Sequence, residues 1–123
     1  MEITLGMTQE LTRTVTAEMC TKHTNPDAPG ILSPPSLIGF MEAACARCVA
    51  PALAEGSTTV GTAVNIRHLA STLEGQEITC VAELIEIDRR RLNFSVVVTN
   101  DKGVKIGEGQ HERFIFIPKK KAE

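Results

Sequence analysis

The sequence predicts an α+β fold in which one long central helix is wrapped by a five-stranded antiparallel sheet. Three observations carry that reading. A single stretch, at about residues 36–50, has helical character. Five stretches are extended, four of them in succession. The turns joining those four are too short for the crossovers that parallel strands need.

The first extended stretch, "LTRTVTAEM" from Leu11 to Met19, alternates and is rich in Thr and Val, which suits a strand with one wetter face. "CTKHTNPDAPGILSPP", Cys20 to Pro35, holds four prolines and reads as a loop. Ser33, Pro34 and Pro35 stand where a helix begins, because proline is tolerated in the first turn. The helix runs from about Ser36 to Ala50, and Pro51 disturbs its last turn. It is apolar on nearly every side, so it must be covered on most of them. After the turn "AEGST" come strands at 59–68, 77–88, 91–100 and 104–117, joined by tight turns at "DRRR" and "NDKG". Gly107 and Gly109 mark a bulge in the last strand, where the apolar phase changes. The open edges and the second face of the sheet invite a partner, which predicts a homodimer or a larger oligomer built from it.

Composition narrows the function. The 123 residues suit a single domain over 1–123 with a core of its own. Thirteen Lys and Arg against fifteen Asp and Glu argue against nucleic acid, whose binding is driven by concentrated positive charge. The lysines at 119–121 read as a solvated tail. No apolar run reaches the ~20 residues of a membrane helix, and "MEITLGMTQELTR" lacks the pattern of a signal peptide, so a soluble cytoplasmic protein with no membrane partner is expected. The four aromatics are all Phe, which leaves no Trp or Tyr for base stacking. Cys45 and Cys48 form a CxxC, but it lies inside an Ala-rich helix. With Cys20 and Cys80 it reads as buried reduced thiols, so no metal is implied.

One acid stands out. Glu42 lies mid-helix, with Ile38, Gly39, Cys45 and Ala46 one turn away, so its own helix offers it no partner. A carboxylate buried without one is costly. In "VGTAVNIRH", period two puts Val60, Thr62, Val64, Ile66 and His68 on the face that looks at the helix, with Asn65 and Arg67 on the other. An inward acid and an inward imidazole at one end of a pocket suggest acid–base or hydrolytic chemistry.

The segments "IGFMEAACARCVAP", "VGTAVNIRHLASTLEG", "RRRLNFSVVVTND" and "IGEGQHERFI" resemble, in order and over nearly the whole chain, the fluoroacetyl-CoA thioesterase branch of the hotdog-fold thioesterases. The resemblance implies a dimer whose sheets join edge to edge and an acyl-CoA substrate bound near the interface, with coenzyme A as part of the substrate and no separate cofactor. Carried over by position, the family's catalytic glutamate falls on Glu42 and its histidine on His68. The glycine that approaches the acyl group falls on Gly61, and the arginine of the "HER" motif on Arg113.

This chain departs from the family pattern twice. Where the family has a hydroxyl residue, usually Thr, eight positions before the glutamate, Pro34 stands here, which leaves Ser33 as the candidate hydroxyl at the substrate; the following prolines favour a helix cap for it instead. In the fluoroacetyl-specific enzyme that this chain resembles, the loop before the helix is longer and contributes an aromatic lid; here it holds no aromatic residue, so fluorine selectivity is not expected. Two other activities are compatible with this fold: a hydroxyacyl dehydratase using His23 of the loop, and an acyl-CoA binder without turnover. Arg89, Arg90 and Arg91 either hold the phosphates of coenzyme A or form a solvated hairpin tip, and His111 reads as structural.

Overall fold

The computed structural model describes residues 2–21 and 25–118. His23 and the lysines at 119–121 lie outside them. Strand β1 (Thr8–Thr14) is followed by a one-turn 3-10 helix (Ala17–Met19) and two short strands, β2 (Cys20–Thr21) and β3 (Ile31–Leu32). Helix α1 (Pro34–Val49) comes next, then β4 (Thr58–His68), β5 (Glu77–Asp88), β6 (Arg91–Asn100) and β7 (Lys105–Phe116). The main sheet has the order β1-β5-β6-β7-β4, antiparallel throughout. The four strands after the helix stand within a residue or so of their expected bounds.

The first strand differs from expectation. It pairs from Thr8 and stops at Thr14, because Val15 turns into the core and its N–H donates to the Gln76 carbonyl. The stretch expected to be all loop contains the β2–β3 pair. Gly30 makes it possible, since a Cβ there would stand 3.1 Å from the Cβ of Cys20.

One face of α1 carries Leu37, Phe40, Met41, Ala44, Cys45, Cys48 and Val49 onto the sheet. They meet the inward rows of β5 (Ile78, Cys80, Ala82, Leu84) and β6 (Leu92, Phe94, Val96, Val98), all fully buried. Each large apolar side chain so buried contributes about 1.5–3 kcal/mol. Elsewhere the helix is partly covered in the single chain: Ile38, Ala43 and Ala46 are half-buried, and Pro34, Pro35, Gly39 and Arg47 are exposed.

Three bulges interrupt the sheet. Ile106 is the extra residue in β7, which puts Ile106 and Gly107 inward in succession as the glycines suggested. Ile85 is the extra residue in β5. The third, Thr62 in β4, was not foreseen. Gly61 pairs with Arg113 and Ala63 with Glu112, so Thr62 has no partner across the ladder. The Thr62 hydroxyl donates to the Glu112 carboxylate at 2.7 Å. That bond, ahead of the Arg91 guanidinium, holds Glu112 below the usual carboxylate range.

Candidate active site

The Thr62 bulge corrects the reading of β4. Thr59 and Gly61 face the helix before it and Val64, Ile66 and His68 after it. Val60, expected inward, lies on the outer face opposite Phe114, where both are exposed. Asn65 and Arg67 do lie on the outer side, as expected, paired with Gln110 and Glu108. Period two fails because one unpaired residue inverts the sense of every side chain beyond it.

This inversion brings Gly61 to Glu42. A Cβ on Gly61 would stand 2.8 Å from Glu42 Oε2, 3.1 Å from His111 Cε1 and 3.5 Å from Arg113 Nη1. The missing side chain thus lets an acid, an imidazole and a guanidinium converge on the strand at this point, with no room there for even a methyl group. Glu42 Oε2 lies 3.9 Å from both His111 Nε2 and Arg113 Nη1, close enough for charge balance and too far for a hydrogen bond. The partner that the helix could not supply comes from β7. Glu42 is not deeply buried, however: its side chain is 39% exposed, because it sits at the rim of α1 beside the edge strand rather than under the sheet.

Arg113 is held on two sides. Its Nε donates to Thr59 Oγ1 at 2.7 Å and its Nη2 to the Thr59 carbonyl at 2.8 Å, while Nη1 lies 3.1 Å from His111 Nε2. Burial lowers its pKa, opposed by Glu42 and Cys45. Thr59 and His111 are the partners that sequence reasoning missed. The signal was available: His111 and Arg113 share a face by period two, as do Thr59 and Gly61, once the strand is phased on Gly61 instead of Val60.

His68 stands elsewhere in the chain. It pairs with Gly107, over which Leu37 and Met41 of the helix close. Along β4, the separation from Gly61 is about 20 Å at ~3.3 Å per residue. Its Nε2 is buried with no hydrogen-bond partner. Glu42 and His68 are therefore not brought together within one chain.

Ser33 is the N-cap of α1. In extended backbone (φ −79°, ψ 151°), its Oγ accepts from the Ser36 N–H at 3.3 Å and bonds the Ser36 hydroxyl at 2.9 Å. Nine residues of helix separate it from Glu42, about 13 Å of rise. We expect Ser33→Ala to cost ~1 kcal/mol of stability, read from denaturant midpoints, with turnover nearly unchanged. A stable but inactive Ser33→Ala protein would assign the hydroxyl to the substrate instead.

At the β5–β6 hairpin, Arg91 is engaged by Glu86, Asp88 and Glu112 at 3.2, 3.4 and 3.2 Å and is not free for a phosphate. Arg89, in a left-handed conformation at φ 58°, and Arg90 form no ion pair among the described residues. They line a groove of about 470 Å³ with Phe114, on the outer face and away from Glu42. The site at Glu42 lies beside the sheet edge formed by β4 instead. All four cysteines are free; Cys45, Cys48 and Cys80 are buried and Cys20 half-buried. Burial pushes Cys80 up to about 12 and raises Cys45 further. Among the described residues no cluster could hold a metal ion.

A family model described as fluoroacetyl-CoA-specific thioesterase matches residues 15–119. The chain is 36% identical over 101 residues to the fluoroacetyl-CoA thioesterase of Streptantibioticus cattleyicolor, covering 77% of this chain and 72% of that protein. A variant of the fluoroacetyl-CoA-specific thioesterase, solved in complex with fluoroacetate and CoA, superposes with a TM-score of 0.84 at 32% identity over 93% of this chain and 95% of that one. A hot-dog-like protein from Thermanaerovibrio acidaminovorans superposes with a TM-score of 0.81 at 17% identity over 92% and 83%, a likeness of fold.

Proposed function

The chain belongs to the fluoroacetyl-CoA-specific thioesterase family and has the hotdog fold, and from that membership we propose that it hydrolyses a short or medium acyl-CoA thioester to the acid and free coenzyme A. The observation that carries the reading is the partly exposed Glu42 carboxylate set against the bare backbone of Gly61, with the Arg113 guanidinium beside it. A thioester carbonyl brought to the exposed side of that carboxylate meets either a nucleophile or the base for a water molecule. In the general-base route, Glu42 takes a proton from water as its oxygen bonds to the carbonyl carbon. The C–S bond then breaks with its electron pair on sulfur, and the proton that Glu42 took passes to the departing thiolate with His68 as its carrier. Arg113 supports the charge that develops at the carbonyl oxygen. The reaction needs no cofactor or metal.

Glu42 and His68 serve one thioester only if two subunits share the site. The open β4 edge supports this. Antiparallel pairing of two β4 strands about residue 65, with Thr62 left unpaired as it is against β7, sets Gly61 of one chain against residue 68 of the other. Val64, on the helix side yet 42% exposed in the single chain, gains cover from such pairing, and the buried, unpartnered Nε2 of His68 gains a neighbour. The active form is then a homodimer of one-domain chains. Among the described residues no helix is long and apolar enough to cross a membrane, in keeping with a cytoplasmic enzyme acting on a soluble thioester.

A panel of short and medium acyl-CoAs assayed for thiol release tests the reading, with free coenzyme A expected from at least one of them. CoA affinity without thiol release from any thioester would make the protein a binder. Alkene formation from a hydroxyacyl-CoA, lost in His23→Ala, would make it a dehydratase.

A further inference from the structure

We propose that His111 is a positioning residue: as a neutral imidazole carrying its proton on Nδ1, it holds the Arg113 guanidinium off Glu42, so that the carboxylate keeps its lone pairs for the reaction. The proposal rests on the thioesterase reading of Glu42 and Arg113.

The partners decide the tautomer. Nδ1 lies 2.8 Å from the Ala63 carbonyl, which can only accept, so Nδ1 carries the hydrogen. Nε2 lies 3.1 Å from Arg113 Nη1, which can only donate, so Nε2 is bare. One form of the ring satisfies both contacts, and an imidazolium would set N–H against N–H of a cation. Burial lowers the His111 pKa and Arg113 lowers it further; the Ala63 bond and the carboxylates of Glu42 and Glu112 oppose them, and the balance is a lowered value that agrees with the neutral ring the contacts require. The ring is 1% exposed, so no solvent molecule stands in for either partner.

The consequence falls on Glu42. With Nε and Nη2 tied to Thr59, Nη1 is the part of the guanidinium free to choose between acceptors. His111 Nε2 takes it at 3.1 Å, and Glu42 Oε2 remains at 3.9 Å. Without that lone pair, the carboxylate becomes the acceptor for Nη1, and a charge-assisted bond of about 2.8 Å forms. A base so engaged is weaker and has one lone pair fewer for the reaction. His111 also ties the carbonyl just beyond the Thr62 bulge, so one ring fixes both the guanidinium and the strand that presents Gly61.

Two substitutions separate the nitrogens. Gln at 111 sets an amide oxygen near the place of Nε2 and keeps an acceptor for Arg113. Asn sets an amide nitrogen near the place of Nδ1 and keeps only the donor to Ala63. At matched melting temperature, His111→Gln is expected to stay within about threefold of wild-type kcat, and His111→Asn to lose roughly 10²-fold in kcat with KM little changed. In an Arg113→Lys background, His111→Asn should make no further difference. Equal losses in the Gln and Asn variants, or additive losses in the double variant, would overturn the proposal.

The imidazole 15N shifts, which distinguish a protonated from a bare ring nitrogen, decide the tautomer without turnover and without any substitution. A protonated Nε2 near neutral pH would sink the assignment even if every variant failed to fold. Absence of thiol release from the wild type would instead count against the thioesterase reading and leave the tautomer measurement to judge His111.

Discussion

Glu42→Gln is expected to lower turnover by at least the roughly 10²- to 10⁴-fold that a lost proton-transfer group costs, while the melting temperature barely moves. The amide is nearly isosteric but can neither attack a carbonyl nor take a proton. Stability should hold for a separate reason. The carboxylate is 39% exposed and stands 3.9 Å from its two partners, without a hydrogen bond to either. An ion pair of that kind contributes about 0–1 kcal/mol. Rate and stability therefore part company in this variant. Full activity at an unchanged melting temperature would remove Glu42 from the chemistry, and a collapse of both would mean that the acid serves the fold.

The second large effect concerns where the proton donor comes from. His68→Ala is expected to cut the rate by roughly 10²- to 10⁴-fold, and mixing it with Glu42→Gln should restore part of what each loses alone. The reason is the separation of about 20 Å along β4, which one chain cannot close. If each site takes its acid from one subunit and its imidazole from the other, a mixed dimer has one doubly damaged site and one intact site. Random reassembly of equal amounts makes half the dimers mixed, which returns about a quarter of wild-type activity. Sites lying wholly within one chain would give no recovery beyond the sum of the parents. Size-exclusion chromatography of the mixture establishes that dimers have re-formed before rates are compared.

Much of this molecule was legible before its structure. Four strands were bounded to within a residue or so, because hairpin turns at "DRRR" and "NDKG" delimit alternating segments and each end is a local event. Ser33 and the two prolines likewise announced the helix start. Glu42 was found because a carboxylate in an apolar helix is locally anomalous. What escaped depends on relations between strands. Thr62 is an ordinary strand residue, and nothing in "VGTAVNIRH" shows that it lacks a partner across the ladder; only its pairing with β7 does. That one omission placed Val60 inward and hid Thr59. His111 was read as structural because an isolated imidazole has no visible role until Arg113 and the Ala63 carbonyl are set on either side of it. The β2–β3 pair was missed because two-residue strands carry no periodicity to detect.

The Thr62 bulge also makes this part of the chain sensitive to counting. A substitution at 62 changes one hydroxyl and its bond to Glu112. Removing the residue would close the ladder and shift the frame of β4 by one. Gly61 and His68, six pairing steps apart with the bulge, both look inward because six is even; their in-phase relation exists only while the extra residue is there. Deletion or insertion of a single residue between 61 and 68 would therefore turn one of the two outward, whatever side chains were supplied. For this segment length is as strict a specification as composition, and a redesign that keeps Gly61 and His68 must also keep the number of residues between them.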